Sequence, residues 1–232
     1  PFGDIVARKD TTEEAAVEMI DIGGPALLRA AAKNFVHVVP ICSSEQYEFV
    51  LSELQSKGEI SVTTRRELAA EAFAYTAAYE ATIANWFADR ESFPDKLIVP
   101  LRKVTDLSYG ENPHQRGAYY VEAGARRHLL SRVDQLGGKA LSFNNLNDLN
   151  AARLIIEEPD MPACAIVKHA NPCGVAVGGS AIEAYAKALA SDPVSAFGGV
   201  VAVNRSIDSG LAEILSEQFI EVVIVPSFSD DA

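Results

Sequence analysis

No stretch of this chain gathers basic residues into a run, and no basic patch is interleaved with aromatic side chains. Duplex binding depends on concentrated positive charge that releases counterions, so nucleic acid is set aside as a partner. Lys and Arg number 20 against 32 Asp and Glu, a formal net charge of −12. An anionic small molecule stays open, because backbone N–H groups with one or two local cations can bind it against the net charge. Cysteine is scarce: Cys42, Cys164 and Cys173 are an odd set without a CxxC pair. That usage suits reduced thiols better than a disulfide framework. No apolar run reaches the roughly 18 residues of a membrane span, and no signal peptide precedes the first charged residues. The chain therefore reads as cytoplasmic. It also lacks an initial methionine, opening on Pro1-Phe2, as a processed, trimmed or partial polypeptide would.

What is present is an ordinary globular composition. With 48% hydrophobic and 22% charged residues over 232 positions, the chain can bury one large core or two of usual size. Thr11-Thr12-Glu13-Glu14 can cap a short helix. Asp21-Ile22-Gly23-Gly24-Pro25 reads as a loop feeding an alanine-rich helix, with Pro25 at the first helical position. Val36 to Val39 reads as a short buried strand, and Ser43 with Gln46 as a capping box for a helix to about Leu54. Thr64 and Glu67 offer another box, opening a long helix through Tyr75, Tyr79 and Trp86. Alternating strand and helix predict α/β layers here.

After Trp86 the pattern lapses through "FADRESFPDK", which reads as a linker or its beginning. Beyond it, "LSYGENPHQRGAYY" and "KALSFNNLNDLNAARL" carry so many Asn and Gly residues that turns, not simple core elements, are expected. Ala163 to Val167 and Gly198 to Val203 are strand candidates, Ser180 with Glu183 caps a helix to about Ala190, and "EVVIVPSFSDDA" begins as a strand. No internal repeat or low-complexity segment is visible.

The chemistry concentrates in "IVKHANPCG", where an apolar run ends in adjacent Lys168 and His169. Successive strand side chains point to opposite faces, so two titratable neighbours at a strand end pose a question. One reading is a surface lysine beside a histidine bonded to a carbonyl. The other is a histidine base with a cation that stabilises developing negative charge. A zinc reading fails on spacing: against the deaminase pattern H-x-E with P-C-x-x-C, Asn171 replaces the glutamate and Ala176 the second cysteine. No metal is expected. His114, Asp21, Lys33 and Gly198-Gly199 each have a plain reading on spacing alone: turn histidine, helix cap, solvated helix end and strand bend.

Taken together, "IDIGGPALLRAAAKN", "YGENPHQ", "LSFNNLNDLNAA", "IVKHANPCG" and "DPVSAFGGVVAVN" stand in the order and at about the spacing of the bifunctional purine-biosynthesis family, which combines AICAR formyltransferase with IMP cyclohydrolase. The chain resembles that family over essentially its whole length. The resemblance implies an α/β fold with three parts. Residues 1–92 would be the C-terminal part of a methylglyoxal-synthase-like cyclohydrolase domain, 93–104 a linker, and 105–232 the first cytidine-deaminase-like half of the formyltransferase domain. Pro1-Phe2 resemble the end of a segment lying well inside the cyclohydrolase domain. The resemblance thus implies that a phosphate-binding glycine loop precedes this chain and a folate-binding half follows it, and that these residues alone are inactive.

The same resemblance places the cyclohydrolase site on Asp21, Ile22 and Lys33, with Lys33 as proton carrier, and the span between them is expected to be a turn of loop and two turns of helix. It places formyl transfer on Lys168 and His169, with His169 as base and Lys168 as stabiliser of the transition state. Tyr109, Gly198 and Glu221 fall where the family contacts the aminoimidazole nucleotide, and Asn145 lies in a motif bordering that site. The implied small molecules are AICAR, formyl-AICAR, IMP and 10-formyltetrahydrofolate as formyl donor, with a homodimer as the implied assembly. One position departs. Ser108 stands where the family has an arginine in "LRYG", and serine offers no guanidinium fork. Either Arg102 or Lys103 substitutes, or nucleotide affinity is lower, or another contact suffices. Two rivals remain at this point: a non-catalytic nucleotide-binding or oligomerisation module of the same fold, favoured by Ser108, and a zinc-dependent hydrolase, disfavoured by its missing ligands.

Overall fold

A computed structural model of the chain describes residues 2–8, 10–88, 93–122, 130 and 133–232. It divides into two units, one of Pro1–Arg102 with Val121–Arg126, the other of Lys103–Tyr120 with Arg127–Ala232. The expected start of the linker falls partly on residues 89–92, which lie outside the described residues, as does Pro1. Among the described residues no helix is long and apolar enough to cross a membrane.

Unit 1 is built from helices: α1 (Phe2–Val6), α2 (Glu13–Glu18), α3 (Gly23–Lys33), α4 (Gln46–Lys57) and α5 (Val62–Phe87). The expected cap of α2 is present, with the Thr12 hydroxyl accepting from the Ala15 N–H. The α/β layering expected for this part is not found: the described residues before Leu101 contain no strand. Val36 to Val39 is turn and coil instead. His37 and Val38 donate their N–H groups to the Asn34 carbonyl, and Pro40 has no N–H to offer a ladder.

Helix α3 begins two residues before Pro25, and α5 begins at Val62 because Ser61, not Thr64, is the N-cap. The Ser61 hydroxyl accepts from the Thr64 N–H at 3.2 Å and lies 2.9 Å from the Thr64 hydroxyl. At α4 only half of the expected box forms: Gln46 Oε1 accepts from the N–H groups of Cys42 and Ser43, while the N-cap Glu45 makes no side-chain cap. That helix runs on to Lys57 and stops at Gly58, whose φ of 76° lies in the left-handed region. The core is small-residue packing of α3 on α5 through Ala32, Ala69 and Ala72. Buried Phe2 meets Tyr79 and Trp86 of α5 edge to face.

Strands β1 (Leu101–Leu107) and β2 (Gly117–Glu122) form a two-stranded sheet. Between them the Gly110 N–H donates to the Gln115 carbonyl and the Gln115 N–H to the Asn112 carbonyl, so the middle of this Asn- and Gly-rich stretch is a turn, as its composition predicts, while its last four residues, Gly117 to Tyr120, belong to β2 against that expectation. The second such stretch is not. Phe143–Glu157 is a 15-residue helix, α6, with a reciprocal capping box between Ser142 and Asn145. Asparagine is unfavourable inside a helix but favoured at its start. Here the asparagines cluster in the first two turns, and Leu149, Ala152 and Ile156 supply the buried face.

Unit 2 holds a four-stranded sheet in the order β4-β3-β5-β6, comprising β3 (Ala163–Lys168), β4 (Asn171–Val177), β5 (Val200–Val203) and β6 (Val222–Ile224). β3 pairs antiparallel with β4 and β5, and β5 pairs parallel with β6. The remaining helices are α7 (Ala181–Ser191), capped by Ser180 as expected, short α8 (Pro193–Ala196), and α9 (Ser209–Ser216). Period-two alternation sorts β3 between two cores. Ala163, Ala165 and Val167 pack with α6, while Cys164 and Ile166 pack with Tyr185 of α7 and Leu211 of α9. Both faces of the sheet are therefore covered by helices, a mixed α/β arrangement.

Candidate functional site

The apolar run of "IVKHANPCG" is the buried end of β3, and the strand stops at Lys168. Lys168 pairs with Asn171 across a two-residue turn made of His169 and Ala170. Their φ angles are 55° and 60°, the sign pattern of a type I′ hairpin turn, which usually takes Asn-Gly. Holding two non-glycine residues there costs about 1–2 kcal/mol each. The adjacency of Lys168 and His169 is thus resolved by the end of the strand: His169 is not its next residue but the first of a left-handed turn.

Three contacts hold this turn. The Asp148 carboxylate accepts the His169 N–H at 3.3 Å and the Ala170 N–H at 2.6 Å, and Asn171 Nδ2 donates to the His169 carbonyl at 2.8 Å. Just behind it, Ile166 faces Gly174 but Val167 faces Pro172, so Cys173 is an extra residue on β4. The bulge and the outer position of β4 let Pro172 sit there without breaking the ladder. Burial pushes the Cys173 thiol up, and the Asp192 carboxylate adds to the effect against the lowering influence of Lys168.

Lys168 is drawn toward a second element. Its Nζ donates to the Phe197 carbonyl at 2.8 Å. The next residue, Gly198, has a φ of 71° and donates its N–H to the Phe219 carbonyl at 2.8 Å. The Glu221 N–H then donates to the Gly199 carbonyl at 3.0 Å. Lys168, Gly198 and Glu221 are thereby gathered at the start of β5, which begins two residues later than expected because Gly198 is in a left-handed bend.

A third group lies at the N-terminus of α6. The Ser108 N–H donates to the Leu141 carbonyl and the Phe143 N–H to the Tyr109 carbonyl, bracketing Ser142. Asn145 Oδ1 accepts from the Ser142 N–H and hydroxyl, each at 2.9 Å. Asn145 and Asp148 are three residues apart on one helix face, so α6 carries the Ser108–Tyr109 segment at its start and the His169 turn one turn later. Lys103, one of the two cations that could stand in for an arginine at Ser108, is paired with Asp106 at 3.0 Å. Among the described residues no cluster of three or more His, Cys, Asp or Glu side chains could hold a metal.

In unit 1, Asp21 Oδ1 accepts from the Gly24 N–H at 2.9 Å, and the Asp21 N–H donates to Tyr79 Oη at 2.7 Å. A Cβ on Gly24 would meet Asp21 Oδ2 at 2.3 Å, so the second glycine of the pair is what lets the carboxylate fold over the helix start. Exposed Ile22 follows, and Lys33 is the last residue of α3. The 11 residues of α3 make three turns, not two, and the helix is about 16 Å long. Asp21 and Lys33 thus stand at its opposite ends.

Asp148, Phe197 and Tyr79 are site residues that no motif in the sequence singles out. For Asp148 a signal existed. It lies in register with Leu149, Ala152 and Ile156 on the buried side of α6, and a buried carboxylate needs partners. The Phe197 carbonyl and the Tyr79 hydroxyl carry no such mark.

The family model described as AICARFT/IMPCHase bienzyme matches residues 31–232. The bifunctional purine biosynthesis protein PurH of Bacillus cereus (strain B4264) is 47% identical over 234 residues, covering 100% of this chain and 46% of that protein. PurH of Bacillus cytotoxicus (strain DSM 22905 / CIP 110041 / 391-98 / NVH 391-98) and of Bacillus anthracis (strain A0248) shows the same identity and coverage. The chain spans less than half the length of the curated relatives it matches.

Proposed function

This chain belongs to the AICARFT/IMPCHase bienzyme family, and from that premise we propose that the protein carrying it performs the last two steps of IMP synthesis. Formyl transfer to AICAR comes first and ring closure of formyl-AICAR second. The single observation that carries the first step is the end of β3, where a lysine pinned to the Phe197 carbonyl precedes a histidine in a clamped turn. 10-Formyltetrahydrofolate supplies the formyl group as a substrate. The amine of AICAR attacks the formyl carbon, a C–N bond forms, and the bond from formyl carbon to folate nitrogen breaks. His169 takes the amine proton, which passes to the departing folate nitrogen, and Lys168 stabilises the negative charge that develops on the formyl oxygen. Ser108, Tyr109, Asn145, Gly198 and Glu221 border the nucleotide in this reading.

For ring closure, the carboxamide nitrogen attacks the formyl carbon and water leaves. Lys33 moves the proton and Asp21 orients the amide beside Ile22. The partition follows: residues 1–92 to a methylglyoxal-synthase-like cyclohydrolase domain, 93–104 to a linker, and 105–232 to a cytidine-deaminase-like half of the formyltransferase. Its support is the change of composition after Trp86 and the division of the chain into two units. A homodimer is the assembly we expect.

In the full-length protein, His169→Ala abolishes formyl transfer and spares cyclisation, while Lys33→Ala does the reverse, each read by a separate spectrophotometric assay. Formyl transfer near the wild-type rate in His169→Ala would overturn the assignment of the base. Ser108 favours a second reading, a nucleotide-binding module without turnover. Calorimetric titration with AICAR beside a turnover assay separates the two, since that module binds without converting.

A further inference from the structure

We infer that Asp148 is the positioning residue of the formyl-transfer site: it holds the His169–Ala170 turn in its left-handed conformation and so sets where the base stands. The inference rests on the assignment of His169 as base for its functional half, and on geometry alone for the clamp.

Among the described residues, His169 and Ala170 are the non-glycine residues with positive φ. A conformation that side chains disfavour persists only where surrounding contacts enforce it. The contact that reaches in from outside the hairpin is Asp148, which is 9% exposed and sits on α6, 21 and 22 positions away in the chain. Consecutive N–H groups in this turn converge on one carboxylate, which presents an acceptor to each. A carboxamide in its place presents one acceptor and one donor, so one of the two N–H groups would then face another N–H. The chemistry therefore selects Asp over Asn, in a segment where asparagine is otherwise abundant: Asn144, Asn145, Asn147 and Asn150 surround it.

Asp148 touches no reacting atom in this scheme. It acts through the backbone. Because Asn145 lies one turn earlier on the same helix, α6 carries the Ser142–Asn145 cap beside Tyr109 and the clamp on His169 as one rigid body. A shift of the turn by about 1 Å displaces the base from its proton, and misplacement on that scale costs about 100-fold in rate.

The test uses the full-length protein with Asp148→Asn, which preserves shape, beside Asp148→Ala. Hydrogen exchange by mass spectrometry reads the peptide over the turn, and steady-state kinetics read formyl transfer. We expect exchange of the turn amides to quicken at least about tenfold in Asp148→Asn. We expect kcat to fall about 10- to 100-fold with the KM for the nucleotide within about twofold. Adding Ala170→Gly to Asp148→Asn should recover most of the lost kcat, because glycine adopts positive φ without the Cβ penalty; general loss of stability would not respond to that change. Unchanged exchange in Asp148→Asn overturns the clamp, and so does unchanged kcat or failure of the glycine rescue. His169→Ala is measured in parallel. If it retains formyl transfer, the proposed function fails, and the exchange result decides the clamp by itself.

Discussion

Cys164 shows how placement within a strand sets a side chain's chemistry. It lies between α7 and α9 with no exposed surface, and burial pushes its thiol up to about 12. The thiolate is the reactive form, so Cys164 stays inert near neutral pH. Cys42 and Cys173 are also raised by burial but lie only partly buried. Alkylation of the native chain at pH 8 followed by peptide mapping should label Cys42 or Cys173 and leave Cys164 unmodified, with all three labelled in denaturant. Labelling of native Cys164 at the rate of the other two would show that this core opens. Reduced cysteines were legible from their odd number and spacing. Which one is inert was not, because burial depends on α7 and α9, which follow later in the chain. Asp148 follows the same logic. Its two bonds cross 21 and 22 positions, and no local pattern announces them.

Elements were legible where local chemistry and packing agree. The caps at Thr12 and Ser180 and the strands β3, β5 and β6 follow from hydroxyl positions and apolar runs. Among the expectations that failed, two did so for opposite reasons. Val36 to Val39 has the composition of a strand, but no described strand lies beside it and its N–H groups turn back to Asn34. The Asn-rich segment has the composition of a turn, but its buried face and its cap carry a helix. Close approach of elements is a third contribution that sequence alone leaves unstated. A Cβ on Gly174 would stand 2.0 Å from the Ala188 carbonyl oxygen, so β4 packs on α7 at a distance that only glycine permits. Gly174→Ala should cost about 1–3 kcal/mol through overpacking, read from urea unfolding of the purified chain. A cost below a few tenths of that would mean that α7 moves aside freely.

For the whole molecule, charge is the property that adds over all positions whatever the fold. Its 32 acidic and 20 basic residues set an isoelectric point near 4.8. Mutual repulsion keeps such a protein dispersed, and its loss promotes association. Solubility of the 232-residue chain should pass through a minimum near pH 4.8 and rise on the alkaline side; maximal solubility at that pH would contradict the reading. Apolar surface behaves differently. Tyr47, Phe49, Leu51 and Leu54 of α4 are all between 45% and 62% exposed, an outcome set by how the helix packs and not by a sum over residues. The sequence by itself determined the composition class, the acidic balance, the caps at Thr12 and Ser180, three of the six described strands, and the five motifs that mark the family, since these reside in residue types and short spacings. Only the tertiary structure decided that β3 ends at Lys168, that a buried carboxylate on α6 holds the turn carrying His169, and that Lys168 is bound to the Phe197 carbonyl. Each of these depends on groups distant in the chain meeting within hydrogen-bond range, which a linear pattern does not encode.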